Sequence, residues 1–120
     1  MKCMAEALSC LSKVPQADVQ RVLNRFGPSP WGLIECVYAA DYFKIILCPF
    51  VHEADGRVYP QFYRYYENYD GILLGRIPGQ EIGHALAKVD GKLIGPNYVS
   101  SCWKGWFTEL GEKIFLAKMN

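Results

Sequence analysis

The chain has 120 residues, of which 51% are hydrophobic, 14% aromatic and 21% charged, with a formal net charge of +1. That balance fits one globular domain, residues 1–120, and excludes a disordered chain. Acids and bases are interspersed, so no basic stripe of the kind nucleic acid demands is evident. No apolar run approaches the ~20 residues of a membrane span, and the N-terminal MKCMAEALSCLSKV lacks a full signal-peptide pattern. A soluble, unexported protein is expected. The five cysteines (Cys3, Cys10, Cys36, Cys48 and Cys102) are odd in number and show no C-x-x-C spacing. They are read as reduced cytosolic thiols, neither disulfide framework nor zinc site.

In chain order, helices come first. Met4, Ala7, Leu8 and Leu11 repeat at i, i+3, i+4 and i+7, which predicts a helix over 3–13. A second is expected from Gln16 to Phe26, with Val19, Val22, Leu23 and Phe26 as its apolar stripe and Gly27 as its stop. In GPSPW, Ser29 can cap a third helix with Pro30 at its first position. Leu33, Ile34, Val37 and Tyr38 are read as its inward face, to about Phe43.

The pattern then turns to β. Lys44–His52 and Arg57–Tyr66 flank the turn EADG and read as strands. Further strands are expected at Ile72–Ile77, Ile82–Val89, Lys92–Ile94 and Lys113–Lys118. The expected fold is α+β, with N-terminal helices (about 3–43) packed on an antiparallel sheet (about 44–120). In the run YPQFYRYYENY, residues 59–69, alternating aromatics in a strand would place one set in the core. A partner surface built on Tyr63–Tyr69 is the rival reading of that run.

Asp90-Gly91 is a strong two-residue hairpin signal. It opposes Val89 to Lys92 and Lys88 to Leu93. Extended to its limit, the ladder sets His84 opposite Asn97, where an amide could orient the imidazole. Pro96 breaks the ladder's donor pattern on the way. A nucleophile is still needed. Cys3 stands apart from the other thiols because it opens the first helix, where free N–H groups and the helix dipole favour a thiolate and could hold an oxyanion. His52, beside Glu53 and Asp55 at a predicted turn, is the less favoured base.

An early Cys opening an amphipathic helix (KCMAEALSCL), a second short helix, the strand GHALAKVDG and an apolar return strand followed by GPNY together resemble the papain-like cysteine peptidase superfamily. The similarity is to its smallest members, phage and bacterial papain-fold proteins and the peptidase domains that process bacteriocin leaders. The resemblance implies a minimal papain-like fold with Cys3 as nucleophile, His84 as base and Asn97 as its orienting partner. It implies a thiol hydrolase, peptidase or amidase, that needs no cofactor or metal and acts on a peptide or protein. Three positions depart from the family pattern. Gly95 stands where small members often carry Asp. Lys2 precedes the Cys. No Gln lies upstream to donate to an oxyanion, a part Gln80 could take. The alternative is an inactive papain-like binding protein, such as a phage-encoded inhibitor of a host factor.

Overall fold

A computed structural model of the chain describes residues 3–52, 60–75, 83–95, 98–100 and 113–120. The first helix, α1 (Cys3–Ser12), buries Met4, Ala5, Ala7, Leu8 and Leu11. The stripe expected from the sequence is therefore its core face. The second, α2 (Gln16–Asn24), buries Val19, Val22 and Leu23. Phe26 lies beyond its end and is 44% exposed, so it is not part of that stripe.

The third helix, α3 (Leu33–Tyr42), corrects two expectations. Its N-cap is Gly32, whose N–H donates to the Glu35 carboxylate at 3.1 Å, so neither Ser29 nor Pro30 starts the helix. Its buried face is made of Cys36, Ala39 and Ala40, with Leu33 and Val37 packed beside them. Ile34 and Tyr38, expected inside, are 66% and 61% exposed. Small residues let α3 lie close, and the bulkier apolar side chains are left on the outer face. At its end Ile45 N–H donates to Ala40 O and Lys44 N–H to Asp41 O, a Schellman closure with Lys44 in the left-handed region at φ 62°.

The six strands are β1 (Leu47–His52), β2 (Gly71–Gly75), β3 (His84–Val89), β4 (Lys92–Gly95), β5 (Tyr98–Ser100) and β6 (Lys113–Lys118). They form one antiparallel sheet in the order β1-β6-β2-β3-β4-β5. The fold is α+β, as expected. The Asp90-Gly91 turn, with φ of 52° and 79°, fixes Val89 opposite Lys92 and Lys88 opposite Leu93. These are the pairs predicted from the loop length. Asn120 extends the β1 edge, accepting from Ile46 N–H and donating to Lys44 O.

The described part of the expected Arg57–Tyr66 strand, residues 60–66, is not a strand. Residues 60–68 are a fourth helix, α4 (Pro60–Asn68), and β1 pairs with β6 instead. Aromatics favour strands by propensity, but here their helical spacing decides. Phe62 and Tyr66, four apart, are both buried and stack at 5.8 Å. Tyr65 and Tyr69 stack at 5.2 Å, and Phe50 of β1 stacks on Tyr65 at 3.9 Å.

The sheet is thus buried on both faces. Ile72, Ala85, Ala87 and Leu116 join the core of α1, α2 and α3. Their neighbours in sequence, Leu73, Leu86, Phe115 and Ala117, join Phe62 and Tyr66 of α4. Gly71 sits where β2 crosses this packing. A Cβ there would overlap the Leu116 carbonyl oxygen and come within 2.7 Å of Phe115 Cζ. Gly71→Ala is expected to cost about 3 kcal/mol or more, since neither backbone nor ring can give way cheaply. Urea unfolding measures this.

Two lysines are buried on the α4 side. Lys88 Nζ donates to Tyr69 O at 2.8 Å and lies over the rings of Tyr66 (5.3 Å) and Phe115 (5.8 Å). Burial pushes its ammonium below the ordinary lysine value, against the opposing pull of Asp70 and Glu67. Burial does the same at Lys113. The unfolded chain holds these protons more tightly, so stability should rise with pH from the lowered native values up to the unfolded ~10.4. Lys88→Met and Lys113→Met should each flatten that rise in urea titrations, and parallel curves for parent and variants would contradict it.

Candidate functional site

The site begins with the seam between α1 and β3. Ala5 and Ala7 of the helix and Ala85 and Ala87 of the strand are all buried in one core. α1 packs against β3 in that core, with Met4, Leu8 and Leu11 of the helix in it as well. Cys3 is the first residue of α1 and is half-buried against that core. The N–H groups of this first turn have no carbonyl partner within the helix.

Beside Cys3 lies a small cavity, about 20 Å³, lined by Cys3, Met4, Ser29, Pro30, Trp31 and Gly83. It has room for about one water. The segment between α2 and α3, with a cis Ser29–Pro30 peptide, forms one wall. The Trp31 indole N–H donates to Gly27 O at 3.1 Å, which fixes the ring. Sequence reasoning assigned this GPSPW stretch to helix capping and missed its place beside the thiol. No periodicity in the sequence signals that place, because the path of a loop sets it.

Gly83 brings the cavity to the residue bonded to His84. His84 opens β3, is half-buried and pairs with Gly75 of β2. Side chains alternate along a strand. Ala85 and Ala87 face α1, and Leu86 belongs to the core under α4. In that alternation His84 shares the face of Leu86 and Lys88. Gly75 pairs with both His84 and Lys113, so these two residues flank a glycine on the same row. Cys3 thus lies on the α1 side of the sheet and the row of His84 on the α4 side, while Gly83, next to His84 in sequence, lines the Cys3 cavity.

Asn97 lies outside the described residues, as do Gln80 and Cys102. The described β3–β4 pairs end at Ala87 and Ile94, and Gly95 pairs with Tyr98 of β5. The described pairing of His84 is with β2 on its other side. His52 pairs with Lys113 at the β1 edge.

The remaining described thiols differ from Cys3. Cys36 is fully enclosed, and burial, with a smaller effect from Glu35, pushes its thiol far up. Burial and then Glu6 push up Cys10. Cys48 is half-buried within β1. Among the described residues no group of three His, Cys, Asp or Glu is placed to hold a metal, and no helix is long and apolar enough to cross a membrane. No protein-family model matches the chain, and no curated protein does.

Among the described residues, the aromatic run is mostly turned inward. Phe62 and Tyr66 are buried, Tyr63 and Tyr65 half-buried, and Tyr69 is the described member that reaches solvent. In the native protein Cys36 should resist iodoacetamide at neutral pH and react only after denaturation, with Cys10 intermediate between Cys36 and Cys3. Site-resolved mass spectrometry gives the order, and native alkylation of Cys36 would contradict this packing.

Proposed function

We propose that the chain is a papain-like thiol hydrolase, a peptidase or amidase working in a reducing cytoplasm, with Cys3 as nucleophile and His84 as base. One observation supports this above others. The cavity at the N-terminus of α1 is shared by Cys3 and by Gly83, the neighbour of His84. In this reaction His84 takes the thiol proton while Sγ attacks the carbonyl carbon of an amide or thioester. The oxyanion is held by the free N–H groups of α1. As the tetrahedral adduct collapses, His84 returns the proton to the leaving amine or thiol, leaving a thioester on Cys3. Water, deprotonated by His84, then releases the acid and restores the thiol. Asn97 would orient the imidazole. The substrate is a peptide or protein, and no cofactor enters the chemistry.

The second reading is an inactive papain-like binding protein, such as a phage-encoded inhibitor of a host factor. The alternation of β3 favours it, because it places His84 on the α4 face while α1 covers the other.

Alkylation kinetics separate the two. In the hydrolase, Cys3 reacts with iodoacetamide at least about tenfold faster than Cys10, and His84→Ala removes that advantage, because the imidazole generates the thiolate. An unchanged Cys3 rate in His84→Ala, with the fold intact by circular dichroism, would sink the catalytic reading and leave the binding one.

A further inference from the structure

The outer face of α3 is apolar where a solvent-facing helix is ordinarily polar. Ile34, Tyr38 and Tyr42, spaced four apart, are 66%, 61% and 57% exposed. Phe26, from the end of α2, stacks on Tyr38 with ring centroids 6.3 Å apart. Arg25 lies over the Tyr42 ring at 5.4 Å. This apolar strip runs into a groove between α2 and α3 of about 320 Å³, lined by Val14, Asp18, Arg21, Arg25, Tyr42 and Phe43. That volume is at the low end of ligand pockets, ~300–1,000 Å³, and suits one or two side chains of a partner.

The charge around the groove is mostly positive, with Asp18 in its lining and the exposed Asp41 beside Tyr42 as the carboxylates. Asp18 is engaged by Arg21. Among the described residues Arg25 has no carboxylate partner, and neither do Lys13 and Lys44, which adjoin the groove residues Val14 and Phe43. Lys13 and Lys44 both hold left-handed backbone, φ 61° and 62°, at helix ends where glycine is usual. Favourable placement of a cation at a helix C-terminus offsets part of that strain, and the result is a cationic rim beside an exposed aromatic strip. Tyr and Arg dominate protein-interface hot spots.

We infer that the α2–α3 face docks a protein segment that is both acidic and apolar. Its carboxylates meet Arg25 and Lys44, and its apolar side chains cover Ile34, Tyr38 and Phe26. The chain's net charge of only +1, together with the aliphatic Ile34 beside the rings, favours such a segment over nucleic acid. The surface is distinct from the Cys3 cavity, so it would be an exosite in a hydrolase and the recognition face in a binding protein.

The probes are three fluorescent helical peptides followed by anisotropy. One alternates Glu with Leu and Phe at helical spacing, the second replaces each Glu with Lys, and the third replaces each apolar residue with Ser. The first alone should bind, more weakly as salt rises. Arg25→Gln and Tyr38→Ser should each weaken it about tenfold, while Cys3→Ala binds as the parent does. Unfolding midpoints near the parent's confirm that the variants fold. Failure of the acidic peptide to bind, equal binding of the Lys peptide, or indifference to both variants overturns the inference. So does binding of a single-stranded oligonucleotide that Arg25→Gln abolishes, and so does self-association of the parent that Tyr38→Ser abolishes, which would make a second copy the occupant.

Discussion

The packing of α1 on β3 is the constraint on which the candidate site depends. Ala85 and Ala87 of the strand lie in one core with Met4, Ala5 and Ala7 of the helix. Larger side chains on either partner would lift α1 and carry Cys3 away from Gly83. The seam links core packing to chemistry, because the residues that seat the helix are one turn from the thiol. Leu8 and Leu11 then anchor the rest of α1 in the same core.

The opposite face of the sheet is organised by aromatic rings and not by small residues. Phe62 and Tyr66 of α4 meet Phe115 and Leu73, and Lys88 is drawn under the rings to cap the end of α4 at Tyr69 O. A cation in that position is stabilised by the ring faces and by one carbonyl, which offsets part of its desolvation. The row of His84, Gly75 and Lys113 lies on this side. With no side chain at Gly75, the imidazole position is bounded by the strand end and a buried lysine. How far His84 reaches round that end towards Cys3 decides between an enzyme and a binding protein.

Much of this architecture was legible in the sequence where one periodicity had no rival. Met4, Ala7, Leu8 and Leu11 could be only a helical face, and Asp90-Gly91 set its register through turn geometry alone. Lys113–Lys118 read as a strand and is one. The aromatic run misled because tyrosine and phenylalanine carry strong strand propensity, and their four-residue spacing was weighed less than their type. On α3 the apolar residues outnumber what one face can hold. The sequence contains two candidate faces, and the packing against α2, β1 and α1 selects the one made of Cys36, Ala39 and Ala40. For the site, Cys3 at a helix start was readable from the pattern. The wall of Pro30 and Trp31 was not, because it is set by a loop path that no periodicity encodes. The face of His84 was likewise hidden until Ala85 and Ala87 were seen beneath α1.

The direct test of the catalytic account is a crosslink between the two positions. In a chain whose other cysteines are replaced by Ser or Ala, His84→Cys places a second thiol at the start of β3. A disulfide requires Cα atoms within about 7 Å and side chains turned towards each other. The hydrolase account predicts that mild oxidation joins positions 3 and 84 quickly and within one molecule, seen as a linked peptide by mass spectrometry. If both thiols remain free while the protein stays folded, the two side chains do not converge and the catalytic pairing is wrong.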